Sequence, residues 1–156
     1  MQRDAKAQRF WSAYLASVPD AEAVEQRWYE VFRIGEDVDD AHRGAALIAA
    51  GLKTATSSLL WSYEAAGKAP PEVGHLSIVA DGDGDPVCVV ETTAVEIKAF
   101  ADVDAAFAFD YAEWDRTLAT WQDRSWAINA RRCEALGRVP VPDMPLVCER
   151  FRVVYP

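Results

Sequence analysis

Histidine, cysteine and basic residues are all scarce in this 156-residue chain, which has two, three and sixteen of them respectively. Cys88, Cys133 and Cys148 are odd in number, widely spaced and without any CxxC pair. That excludes a disulfide framework and a structural zinc site, leaving reduced, buried thiols as the expectation. His42 and His75 stand apart from any ligand spacing, so the sequence assigns neither a metal. Asp81-Gly82-Asp83-Gly84-Asp85 has the spacing of a calcium loop but lacks the glutamate at its twelfth position and the flanking helices. No cofactor is expected, and a divalent ion is not indicated. No apolar run approaches the roughly 18 residues of a membrane helix. Met1-Gln2-Arg3-Asp4 does not open a signal peptide, so no membrane partner and a cytoplasmic location are expected.

Against those few bases stand 25 acidic residues, giving a net charge of −9. A duplex-DNA binder needs a broad basic face, which this balance excludes. Beyond Lys98 every base is arginine, so a local arginine-lined cleft for one nucleotide or a short strand remains open. Six tryptophans are many for this length and supply both core and flat stacking surfaces.

The first fifty residues read as helical. Phe10, Trp11, Tyr14 and Leu15 make one apolar face, and Pro19 breaks that helix with Asp20 as the next cap. Val24, Trp28, Val31 and Phe32 predict a second helix over 21–32, and a third is predicted over 39–50. Leu76–Ala80 and Val87–Thr92 flank a Gly/Asp turn and predict a hairpin, and Val95, Ile97 and Ala99 alternate as a third strand. Helices are expected over 102–111 and 116–136, and a last strand over 146–155. This is an α+β domain built on a small curled sheet or barrel. It divides into a helical extension over 1–32, packed on a main domain over 33–156.

The densest chemistry is Gly51-Leu52-Lys53-Thr54-Ala55-Thr56-Ser57-Ser58. Gly51 suits a helix stop, and the lysine and hydroxyls after it would project from a fixed turn. Such a group can hold an anion or carbonyl, or activate a hydroxyl once the amine is desolvated. The plain alternative is a helix cap running into a strand start.

Four stretches in order resemble the ASCH domain family, whose β-barrel is similar to the PUA domain of RNA-modifying proteins. They are Gly51 to Ser58, Val73-Gly74 with Leu76 to Val79, Val87 to Thr93 with Val95-Glu96-Ile97, and Asp143 to Phe151. The resemblance spans about 30–156 and fits the longer bacterial members, which carry a helical extension. It implies a PUA-like barrel and a ligand drawn from single-stranded RNA or modified nucleosides. It also implies one of three functions: a ribonuclease, the leading expectation; an amidohydrolase that deacetylates N4-acetylcytidine; or a non-catalytic nucleotide-binding module. Lys53 and Thr56 match the first two catalytic positions of the amidohydrolases, and Glu113 the third. Longer members commonly read Glu-Gly-Glu-Gly-Asp-Arg around Glu113, so Trp114 departs from a glycine and alters the pocket wall.

In the hydrolase reading, Thr56 attacks a carbonyl or orients water, Lys53 takes the proton, and Glu113 holds the lysine or protonates the leaving nitrogen. Ser57 and Ser58 are substrate-binding candidates and could replace Thr56. Glu91, a carboxylate within Val89-Val90-Glu91-Thr92, either pairs with Lys53 or faces water. Arg124, Arg131 and Arg132 lie on the Trp-containing helix, and Arg124 and Arg131, seven apart, share a face suited to phosphate contact.

Overall fold

The computed structural model describes residues 3–156. Helix α1 (Ala5–Ala16) and helix α2 (Ala21–Glu25) start at Asp4 and Asp20, whose carboxylates accept from Ala7 N and Ala23 N. Strand β1 (Trp28–Phe32) follows, then α3 (Val38–Ala49), β2 (Ala55–Leu59) and α4 (Leu60–Ala66). Strands β3 (Leu76–Ala80) and β4 (Pro86–Ala99) form the expected hairpin. A 3-10 turn over Phe100–Asp102 leads to α5 (Ala105–Tyr111), α6 (Leu118–Ala135) and β5 (Pro145–Tyr155).

The five strands make one mixed sheet in the order β1-β3-β4-β5-β2, with β1 parallel to β3 and every other pairing antiparallel. A closed barrel is not what these pairings build. β1 and β2 are the two edges of the sheet, and no ladder joins them among the described residues. The expected helix over 21–32 is also corrected. It ends at Glu25, and Trp28–Phe32 instead extends the sheet beside β3. The aromatic and β-branched run Trp28-Tyr29-Glu30-Val31-Phe32 favours a strand, and pairing to β3 outweighs the helical spacing of its apolar residues.

Three apolar clusters hold the helices on the sheet. Trp11 and Tyr14 of α1 pack on Leu76, Ile78 and Val89, and Ile48 of α3 packs with Val79, Cys88 and Phe151. Trp121 of α6 packs with Phe107, Met144 and Leu146. The cysteines are unbridged and buried, as expected.

Helix α3 approaches the chain after β1 as closely as glycine allows. A Cβ on Gly44 would fall 2.3 Å from Ile34 Cβ, a contact that no rotamer change removes. Gly44→Ala is therefore expected to cost about 1–3 kcal/mol, read by chemical denaturation. An unchanged midpoint would show that the helix can lift away freely.

Candidate functional site

Gly51 ends α3 in the left-handed conformation, with φ of 75°. The Leu52 and Lys53 amides then both turn back to the Leu47 carbonyl, at 3.0 and 3.1 Å. The next residue is pinned from two sides: Thr54 N donates to Asp110 O at 2.9 Å, and Phe151 N donates to Thr54 O at 3.1 Å. The Lys53 side chain is thereby driven inward, and the residue is 1% exposed.

Burial of an ammonium needs compensation, and each of its three N–H groups finds an acceptor nearby. Lys53 Nζ donates to Ala55 O at 2.7 Å and Tyr111 O at 3.1 Å, and lies 2.8 Å from Glu113 Oε2. It also sits 3.5 Å from the centroid of the Tyr111 ring. Burial pushes the amine from 10.5 down to about 8, with Glu113 acting in the opposite direction. Burial also pushes the Tyr111 phenol up, helped by the Glu113 charge.

Glu113 is held at this spot by an unusual backbone. Ala112, just before it, has φ of 62°, the conformation that a glycine would adopt without a Cβ penalty. Trp114, just after it, stacks on Tyr111 with centroids 5.4 Å apart.

Glu113, Tyr111 and Trp114 form one wall of a cavity of about 130 Å³. Thr56, Ser57 and Ser58 of β2 line it, as do Phe32 and Ile34 at the end of β1. The cavity therefore occupies the gap between the two edges of the sheet. Its volume is well below the roughly 300–1,000 Å³ of drug-sized ligand sites. Ser125, Asn129 and Arg132, spaced along α6, form another wall. Ser125 and Asn129 are 2% and 4% exposed, and Ser125 Oγ and Asn129 Oδ1 have no hydrogen-bond partner. Arg132 has no ion-pair partner among the described residues.

The cavity is rich in carboxylates, most of them neutralised from outside. Glu30 pairs with Lys68, Glu36 with Arg131, Asp40 with Arg43, and Glu113 with Lys53. Glu149 differs: its single hydrogen-bond contact among the described residues is Thr92 Oγ1, which donates at 2.6 Å. Burial raises its carboxyl from 4.5 to about 7.

The structure gathers Lys53, Thr56, Ser57, Ser58 and Glu113 around this cavity, with Lys53 behind the wall rather than on it. It does not bring the other candidates in. Glu91 pairs with Arg27 and Arg152, so the supposed Lys53–Glu91 pair is not formed. Arg124 is exposed on the outer face of α6. Arg131 is exposed as well and is engaged by Glu36 at the rim. Arg132, one residue on and so about 100° around the helix, is the arginine that reaches the cavity.

Sequence reasoning missed Tyr63, Asn129 and Glu149. Glu149 had a readable signal, since Leu146-Val147-Cys148-Glu149 puts a carboxylate in an apolar strand. His42 is not isolated in space: it approaches Asp81 and Asp83 at 3.8 and 3.7 Å, and the three could offer ligand atoms to an ion. No helix among the described residues is long and apolar enough to cross a membrane.

A family model described as the ASCH domain matches residues 30–155. The chain is similar to the crystal structure of an ASCH domain from Lactobacillus crispatus JV V101. That chain is 34% identical, with a TM-score of 0.91 and coverage of 100% of this chain and 98% of the other. A protein from Enterococcus faecalis V583 is 27% identical with a TM-score of 0.83, over 95% of this chain and 87% of its own. No curated protein matches.

Proposed function

This chain belongs to the ASCH domain family, and we propose that it is an amidohydrolase that removes an acyl group from the exocyclic nitrogen of a nucleobase or nucleoside. The observation that carries this reading is the Lys53–Glu113 pair, whose carboxylate end opens into the cavity beside the β2 hydroxyls. Thr56 Oγ attacks the amide carbonyl, and the Glu113 carboxylate takes its proton. Lys53 has no N–H to spare for substrate, so it acts as a positioning residue that fixes Glu113. Arg132, lacking a partner, is the donor available to the carbonyl oxygen as negative charge develops there.

The walls suit a planar heterocycle. Tyr63 and Trp114 offer aromatic surface, and Ser57 and Ser58 of β2 offer hydroxyls for ring or amino groups. The same features weigh against single-stranded RNA as substrate, which the resemblance had put first. A cavity of about 130 Å³ has room for a small head group and not for a run of linked nucleotides.

The test is hydrolysis of N4-acetylcytidine and, separately, of a single-stranded oligoribonucleotide. Acetate release is expected from the first, with Thr56→Ala and Glu113→Gln each lowering kcat/KM by about 100-fold or more. Cleavage of the oligoribonucleotide without acetate release would overturn the proposal and restore the ribonuclease reading.

A further inference from the structure

We propose that Glu149 is the proton donor to the departing nitrogen, an inference that rests on the amide hydrolysis proposed above. Three observations place it there. Thr56 and Glu149 are direct cross-strand partners in the β2–β5 ladder. Opposed residues of such a pair have Cβ atoms about 4.5–5.5 Å apart, so the carboxyl stands beside the attacking hydroxyl. Both residues line the cavity. Finally, Glu149 alone among the cavity carboxylates has no cation bridged to it among the described residues.

The surroundings let it carry a proton up to about neutral pH. Burial is the main cause, and the Glu30 carboxylate of β1 adds repulsion although Lys68 holds it. Tyr29 of β1 and Tyr63 of α4 face it as neutral phenols, each raised by burial. Arg132 of α6 and Glu113 share the cavity. The Thr92 hydroxyl of β4 donates to it and favours the ionised form, but the balance leaves the carboxyl near 7. Two carboxyl groups in one cavity thus have different surroundings: Glu113 is ion-paired with Lys53, whereas Glu149 has no cation beside it among the described residues and is raised by burial.

The steps balance. A C–O bond forms between Thr56 Oγ and the acyl carbon while the hydroxyl proton passes to Glu113. The C–N bond then breaks, and the nitrogen keeps the electron pair and takes the Glu149 proton. Water attacks the acyl-threonine and gives its proton to the Glu149 carboxylate. The ester C–O bond breaks, and Thr56 Oγ recovers the proton held by Glu113.

Glu149→Gln tests this, because the amide keeps the shape of the carboxyl but cannot give up a proton. An amide substrate needs its leaving nitrogen protonated, whereas p-nitrophenolate leaves without help. With N4-acetylcytidine, kcat is expected to fall about 100-fold or more. With p-nitrophenyl acetate the first-turnover burst of p-nitrophenolate, which reports acylation alone, is expected to slow less than about 5-fold, so the amide-to-ester ratio of acylation rates collapses. The wild-type kcat/KM for the amide should decline above pH about 7, a limb absent from the variant. Equal losses of acylation rate on both substrates, or an unaltered pH limb in the variant, would overturn the assignment while leaving the amidohydrolase reading intact. A wild-type protein that releases no acetate from N4-acetylcytidine would overturn both.

Discussion

Lys53→Met is expected to destabilise the protein by about 3 kcal/mol and to abolish hydrolysis together. Methionine nearly fills the space but donates nothing, so the Ala55 and Tyr111 carbonyls and the Glu113 carboxylate lose their common donor. Breaking a buried pair by removing one partner typically costs about 3–5 kcal/mol, and relief from burying an ammonium offsets part of that. For a domain of this length the melting temperature should fall by about 6–12 °C.

The pH dependence has a definite sign. The folded amine titrates near 8 and the unfolded one near 10.5, so between these values the unfolded chain binds the extra proton. Stability contributed by this group therefore rises as pH goes from 8 to 10.5, and the buried charge is a cost below 8. That rise should vanish in Lys53→Met. The double variant Lys53→Met/Glu113→Gln removes both charges and should regain part of the lost stability without regaining activity. A single variant that melts at the wild-type temperature would mean that the pair holds nothing in place.

How much of this was legible beforehand depends on whether the cause was local. Gly51 could be read as a helix stop because a left-handed residue after α3 is a property of the local chain. The Asp20 cap and the β3–β4 turn were legible for the same reason. Helix α4 was missed because Leu60–Ala66 is short, has no side-chain cap and shows its stop only at Gly67. β1 was misread because Gln26 and Arg27 turn the chain without glycine or proline.

The site divides in the same way. Lys53 and Thr56 are three residues apart, the first just before β2 and the second within it, and were found together. Glu113 was located through resemblance and meets Lys53 across 60 positions of sequence. Glu91 and Glu149 presented one puzzle, a carboxylate in an apolar strand, with opposite answers. Glu91 is answered by Arg27 and Arg152 at the sheet surface, whereas Glu149 meets the Thr92 hydroxyl and lines the cavity. Only the register of β5 against β2 and β4 decides which is which, and register is a tertiary property. Arg131 and Arg132 show the same dependence on rotation about one helix. The former reaches Glu36 at the rim and the latter the cavity.

Trp11→Ala should match the lysine variant in size but act from the opposite end of the molecule. Trp11 is fully buried at the centre of an aromatic group, its ring 4.8 Å from that of Trp28 and 5.5 Å from that of Tyr14. Its Nε1 donates to Glu25, which also pairs with Arg3, so one side chain ties α1 to α2. Deleting an indole from such a site costs about 3–5 kcal/mol, or roughly 6–20 °C in melting temperature. The consequence should reach the cavity, because Trp28 begins β1 and the far end of that strand supplies Glu30 and Phe32 to the cavity wall. Amide exchange in β1 is expected to quicken more than in β4 or β5, and KM for the acylated nucleoside to rise while the chemistry at Thr56 persists. Trp11→Phe keeps most of the packing and loses only the bond to Glu25, so it should cost about 1–2 kcal/mol. If Trp11→Ala melts early yet leaves β1 exchange in step with the rest of the sheet, the extension stabilises the fold as a whole and does not brace this edge of the site.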